Sequence, residues 1–262
     1  MDQKVLSTSL TPNVFIDEVQ GDLQVKGWER AEIVVRAQVE NIEIQEQADA
    51  VHIRCEDGCI VRLPWGATLT IGNIEGEARI KRLEGTLTIG EAMGALSLKE
   101  VGNAEIKAVH GELMSKLVNG DLKVGVTEGN AFIKNVDGDC FLERVEGNLE
   151  LRGVTGDISC QVEGNANLTL GFSEVCNCEF EVDGNVVCRI PTQADVQINL
   201  ACDDENIVVK LPDGVNASRQ VEFEHTLGEG KSQLKITASG NLLLEGIEAD
   251  WEDAEGRGQS PA

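Results

Sequence analysis

Tyrosine is absent from this chain of 262 residues, and aromatic rings are limited to three tryptophans and six phenylalanines. A core without large rings has to be built from Val, Ile, Leu, Ala and Cys, a small and branched set that favours strands. Histidine occurs three times, at His52, His110 and His225, each alone and with no nucleophile motif beside it, so the sequence writes out no catalytic dyad. Basic residues are in the minority, 22 against 46 acidic ones, for a formal charge of −24. That field repels phosphate backbones and anionic membrane surfaces, and nucleic acid is not an expected partner. No apolar run reaches the roughly eighteen residues of a membrane-spanning helix, so membrane insertion is not expected either. Met1 to Leu10 has one lysine and no apolar stretch of the secretory kind, which makes a cytoplasmic location the expectation.

What the chain has in place of rings is glycine with a beat. Gly76, Gly85, Gly94, Gly102, Gly111, Gly120, Gly129, Gly138, Gly147, Gly156 and Gly164 recur every eight or nine residues. Each sits in the pattern apolar, any, Gly, polar, apolar, any, apolar, clearest in Val136 to Leu142, Val145 to Leu151 and Val154 to Cys160. Self-similarity at a short fixed period specifies a β-solenoid. The expected fold is therefore all-β, a single-stranded parallel β-helix of nine-residue units, right-handed by the general rule for crossovers. Ile74, Ala78, Ile80, Leu83, Leu87 and Ile89 open the series of inward positions, which continues through Leu149 and Leu151. Three buried side chains cannot offset the ordering of nine residues, so the units are stable only when stacked.

Outward positions indicate how many units close one coil. At a spacing of 18, with occasional single deletions, Lys81, Lys99, Lys116, Lys134 and Arg152 align. Asp121, Asp139 and Asp157 then form a second column, and Asn130, Asn148 and Asn165 a third. A 27-residue coil scrambles all three, although it aligns Leu96, Leu122 and Leu149 and also Ala78, Ala104 and Ala131. Two units per coil is the favoured reading.

Four regions follow from the regularity of the pattern: irregular N-terminal coils or a cap over 1–65, the regular solenoid over 66–190, C-terminal coils over 191–246 and a disordered acidic tail over 247–262. Leu63-Pro64, Ile190-Pro191 and Leu211-Pro212 read as strand-ending signals. Trp28 and Trp65 lie beside turns in the first quarter and read as cap residues before sugar platforms. Cys55-Glu56-Asp57-Gly58-Cys59 reads as a tight hairpin turn, Asp-Gly supplying the positive φ.

Eight cysteines without an export signal argue against a disulfide framework. Cys140, Cys160 and Cys188 fall on apolar positions and read as core fillers. Cys55 and Cys59, joined by Cys176 and Cys178, are the nearest approach to a zinc cluster, but Cys-x-Cys makes a poor second half. A hairpin disulfide and unligated thiols are the alternatives. The column Asp121, Asp139, Asp157 is a candidate for calcium, although the Gly-Gly-x-Gly-x-Asp signature of calcium-binding rolls is missing. No catalytic residue, cofactor or metal is expected.

Gly21-Asp22-Leu23-Gln24-Val25-Lys26-Gly27-Trp28, the lead-in Leu63-Pro64-Trp65-Gly66-Ala67, the repeated Val-x-Gly-Asp/Asn-Leu-x-Ile and the closing Gly240-Asn241-Leu242-Leu243-Leu244 come in a recognisable order. Over roughly residues 4 to 246 the chain resembles the bacterial putative-adhesin family of unknown function. The resemblance implies a single-stranded β-helix with no known catalytic residues. A looser likeness is to bactofilins, polymer-forming β-helices with shorter chains and flanking tails. The expected function is a non-catalytic scaffold or binding module, adhesin-like, meeting protein or polysaccharide through its faces as a monomer or small homo-oligomer. A self-assembling structural polymer is the alternative, followed by a β-helix enzyme acting on carbohydrate.

Overall fold

The computed structural model describes residues 2–37, 42–47, 50–55, 57–172, 174–203, 206–211 and 214–248. Among them are 27 strands, β1 to β27 in chain order, and no helix. The strands form two sheets, of 14 strands (sheet I) and 13 strands (sheet II). No helix among the described residues is long and apolar enough to cross a membrane.

Through the middle of the chain the two sheets take alternate strands. Sheet I holds β9 (Ala78–Leu83), β11 (Leu96–Val101), β13 (Leu113–Val118), β15 (Ala131–Val136), β17 (Leu149–Val154) and β19 (Ala166–Thr169). Sheet II holds β8 (Thr68–Ile74), β10 (Leu87–Ala92), β12 (Ala104–Val109), β14 (Leu122–Thr127), β16 (Cys140–Val145) and β18 (Ile158–Val162). All of these neighbours pair in parallel, as a solenoid requires. One strand from each sheet completes a coil. The register Lys81↔Lys99 and Lys116↔Lys134↔Arg152 sets the coil at two units, and the 27-residue alternative falls.

A nine-residue unit poses a phase problem, because nine is odd and side chains alternate with period two. The six-residue strands solve it by burying positions one, three and six and turning positions four and five both outward. In sheet I the fifth residue makes the correction by entering the left-handed region, at Arg82, Glu100, Leu117, Asn135 and Gly153 with φ between 56° and 65°. Four of those five are not glycine, a conformation that costs each about 1–2 kcal/mol and is held by the neighbouring coils. The inward positions read from the sequence, from Ile74 to Leu151, are buried. They form one continuous core of Val, Ile, Leu, Ala and Cys.

The glycine beat has a different cause. A Cβ on Gly129 would lie 2.4 Å from the carbonyl oxygen of Gly111 in the coil beneath, and one on Gly138 would lie 2.3 Å from Asp121 Oδ1. Close approach of stacked corners, rather than backbone torsion, selects glycine there.

Both ends of the stack depart from chain order. The coil made by β2 (Asn13–Val19) and β3 (Leu23–Trp28) lies between that of β6 (Ala50–Cys55) and β7 (Cys59–Pro64) and that of β8 and β9. Between those two passages β4 (Glu32–Ala37) and β5 (Ile42–Gln47) fold antiparallel onto β7 and β6, and β1 (Asp2–Ser7) onto β4. The far end repeats the plan in reverse. There β26 (Ser232–Ala238) and β27 (Leu242–Ile247) insert between the coil of β20 (Asn177–Val182) and β21 (Val186–Pro191) and that of β22 (Val196–Cys202) and β23 (Ile207–Lys210). Antiparallel β24 (Asn216–Gln220) and β25 (Glu222–Leu227) then cover β23 and β22.

That topology corrects the hairpin expected at Cys55 to Cys59. β6 belongs to sheet II and β7 to sheet I, so Asp57-Gly58 is a corner between sheets, and Gly58 is not among the residues of positive φ. The strand that pairs antiparallel with β6 is β5, on its other side. β7 and β21 close on Pro64 and Pro191 as expected. Pro212 and the acidic tail from residue 249 lie outside the described residues.

Candidate functional site

Two side-chain ladders run up the corners and fix the register of everything between them. Asn130 Oδ1 accepts the backbone N–H of Asn148 at 2.9 Å and its Nδ2–H at 3.0 Å, and Asn148 Oδ1 accepts the same pair from Asn165 at 3.0 Å each. Asn185 and Asn241 continue the series. At the opposite corner Asn103 Oδ1 accepts from Asp121 N–H, Asp121 from Asp139, Asp139 from Asp157 and Asp157 from Asn177, at 2.8 to 3.0 Å. The aspartates proposed as calcium ligands thus stack as expected, each with one oxygen engaged by the next coil. Among the described residues no group of three or more His, Cys, Asp or Glu converges as a metal site.

The cysteine candidates are not brought together. Cys55 and Cys59 face each other across the corner of a terminal coil, whereas Cys176 and Cys178, with sulfurs 3.9 Å apart, lie beside β20 toward the other end. All eight thiols are free and buried. Burial pushes Cys140 and Cys188 up to about 12 from the usual 9.0, which keeps them protonated and unreactive. A hydrogen bond from Cys59 lowers Cys55 and raises Cys59 itself, whose burial raises it further.

The histidines are equally dispersed. His52 stacks on Phe15 at 5.1 Å near one end, His110 Nδ1 meets Glu128 Oε1 at 2.7 Å at a central corner, and His225 lies beside Phe223 on the opposite cap. The guanidinium groups of Arg30 and Arg62 lie 5.3 and 5.8 Å from the Trp28 ring centroid, and its indole N–H donates to Glu32 O. Trp65 is bound to it through the backbone, N–H to Trp28 O at 2.9 Å. A shallow apolar depression on sheet II, about 630 Å³ around Phe141, Ala108 and Val126, has charges of both signs on its rim.

Sheet I carries the most ordered set of outward groups. The column that began as Lys81, Lys99, Lys116, Lys134 and Arg152 continues through Lys26 to Arg62, since Lys26 pairs with both Lys81 and Arg62. Seven cationic residues on successive coils span roughly 29 Å at about 4.8 Å per coil. Sequence reasoning missed two of them because β3 and β7 stack out of chain order. On the outward positions of these seven strands Arg79 and Arg82 add to the column, and the acidic residues are Glu100 and Glu150. Nine basic against two acidic is the inverse of the whole chain's 22 against 46. The acids gather at the corners instead, as Glu75, Glu112, Glu128 and Glu146 on one side and Glu84, Asp121 and Asp139 on the other.

Local pairs soften the column without cancelling it. Lys99 lies 3.6 Å and Arg82 3.3 Å from Glu100, and Arg152 2.8 Å from Glu150. Exposed pairs of this kind contribute only ~0–1 kcal/mol. Each adjacent pair of like charges costs about 1 kcal/mol in water-like dielectric before screening, and like charges directly opposite destabilise a sheet. Beyond the column, at its Arg152 end, a groove of about 400 Å³ runs between Phe132, Val187 and Arg189 and the amides of Asn148, Asn165 and Asn185.

No family model matches the chain, and no curated protein matches it. Among solved structures it is similar to one described as a putative cell adhesion protein from Clostridium sporogenes, at 11% identity and a TM-score of 0.23, over 94% of this chain and 97% of the other. The chain is a capped two-sheet β-solenoid with one charge-segregated face.

Proposed function

We propose that the protein is a non-catalytic binding module, adhesin-like in that its rigid solenoid holds a surface for a partner rather than a reaction centre. The observation that supports this most directly is the parallel, in-register stacking of outward columns on sheet I. Backbone pairing holds these side chains at one coil spacing over seven coils, and the corner ladders reinforce the later coils, from Asn103 on one side and Asn130 on the other, giving a preorganised and extended surface. The dispersed histidines and inert buried thiols offer no assembled acid, base or nucleophile.

The capped ends support a discrete particle over a filament. End-to-end growth needs an edge strand free to pair with another copy, and charged side chains on the edge oppose it. Here β24 and β25 cover one end and β1, β4 and β5 the other, and the exposed edge residues include Lys4, Glu43, Glu46, Arg219, Glu222 and Glu224. Light scattering with electron microscopy, beside a binding screen on soluble polymers in which chain length is followed, tests the reading. A compact particle that retains a polymer uncut is expected. Fibres, or shortening of any bound polymer, would overturn it.

A further inference from the structure

We propose that sheet I is the docking face for an extended acidic polysaccharide, a chain of uronate sugars whose carboxylates lie along the cationic column. This rests on the binding-module reading and names its ligand. Charge complementarity is the first argument. In a chain of formal charge −24, seven cations aligned on successive coils are a cost to the fold and not a support of it. A ligand that supplies carboxylates to the column removes that cost.

The surroundings of the column choose among polyanions. Duplex DNA carries a charge every ~1.7 Å of its axis, far denser than one cation per ~4.8 Å, and the acidic corners flank any ligand as broad as a duplex. An extended acidic peptide directs alternate side chains to one face at about 6.6–6.8 Å, out of step with the coils. Sugars fit what lies beside the cations: Ser97, Met114 and Phe132 form the middle of the adjacent outward column, between Arg79 and Glu150, with Met114 49% exposed. Such a surface of hydroxyl, thioether and ring suits the apolar faces and hydroxyl edges of pyranoses. Past Arg152 the groove, which Glu150 also lines, offers Arg189 and the second Nδ2–H of Asn148, Asn165 and Asn185, the first being held in the ladder; these donors hydrogen-bond hydroxyls and carboxylates.

The test uses the full chain and sodium polygalacturonate, with binding read by calorimetry and affinity electrophoresis at about 0.1 M salt. The variant Lys81→Gln/Lys99→Gln/Lys116→Gln should bind at least about tenfold more weakly, the loss expected of three exposed ion pairs. The corresponding Lys→Arg variant should retain binding, and so should Lys107→Gln/Lys123→Gln on sheet II. Melting curves confirm that each variant is folded. Equal binding by the triple Gln variant, no binding by the native chain, or equally tight binding of polyglutamate or single-stranded DNA would each overturn the proposal. Retention of a neutral polysaccharide but not of polygalacturonate would overturn this assignment and leave the binding module standing. Cleavage of polygalacturonate would instead overturn the non-catalytic reading.

Discussion

Replacing Asn148 by alanine tests whether the corner ladder is what holds the coils in register. The side chain donates Nδ2–H to Asn130 Oδ1 at 3.0 Å and accepts both the backbone N–H and the Nδ2–H of Asn165 at 3.0 Å. Asn148→Ala removes those three bonds, while the Asn148 backbone N–H keeps its partner on Asn130. The corner is exposed, so water takes over in part, and the lower half of the usual net value applies, about 0.5–1 kcal/mol per bond. The expected loss is ~1.5–3 kcal/mol, equivalent to roughly 3–10 °C in melting temperature for a chain of this size. Asn148→Asp keeps both accepted bonds and loses the donated one, the arrangement already used by Asp121, Asp139 and Asp157 at the other corner. Its cost should stay within ~1 kcal/mol. Urea midpoints at unchanged slope provide the readout. If Asn148→Ala stays within ~0.5 kcal/mol of the native chain, or proves milder than Asn148→Asp, the ladder is a consequence of stacking and not a cause of it.

Three further substitutions probe the core and the acidic corner. Thr127→Val removes a hydroxyl that is buried with no hydrogen-bond partner; denaturant melts should show a gain of about 1 kcal/mol. Asp139→Asn keeps the acceptor for Asp157 N–H, takes out one of three stacked carboxylates and should stabilise by ~0.5–1 kcal/mol. Millimolar calcium should leave the melting temperature of the native chain unchanged, and a rise abolished by Asp139→Asn would make the aspartates ligands. For Cys140 the folded thiol is raised from 9.0 to about 12, so its contribution is full below pH 9 and is lost as pH rises towards 12. Unfolding at pH 8 and pH 10 should therefore bring the native chain closer to Cys140→Ala by about 1.4 kcal/mol, and parallel profiles would refute the burial argument.

The regular coils were legible because each is specified by its own nine residues. Gly129 and Gly138 mark corners, Ala131 and Ile133 or Leu149 and Leu151 mark the inward pair, and the 18-residue columns follow from arithmetic. The ends were not legible, for a physical reason. Residues 1–65 read only as irregular coils or a cap, because partner choice between β2, β6 and β8 depends on long-range packing that no local pattern encodes. The hairpin inferred from Asp57-Gly58 failed in the same way, since Asp-Gly marks a turn but does not say whether the next strand returns beside the last or crosses to the other sheet. The candidate face suffered from this directly: Lys26 and Arg62 join the column only through the permuted coils. The left-handed column was also hidden, because Arg82, Glu100 and Leu117 are not residues that announce positive φ.

Net charge and local charge differ most at sheet I, and the physics of the proposed polyuronate docking gives a test that ordinary polyanion binding cannot pass. A charge of −24 sets the field at distances where the whole molecule acts as one ion, and that field repels acidic polymers. Close to sheet I the balance is reversed, because the corner acids point to the sides while nine cations face the ligand. Which field a ligand meets depends on screening. At about 0.01 M salt the Debye length is ~30 Å, comparable to the column, so the total charge repels a polyuronate. At about 0.1 M it is ~10 Å, and the local cations dominate. At about 1 M it is ~3 Å, shorter than the coil spacing, and the ion pairs themselves fade. Polygalacturonate affinity should therefore pass through a maximum between low and high salt, whereas binding driven by a uniformly basic surface falls steadily with salt. The maximum should move to lower salt when corner acids Glu112 and Glu128 are replaced by Gln, since the repulsion that needs screening is then smaller. A steady fall for the native chain would show that long-range repulsion plays no part.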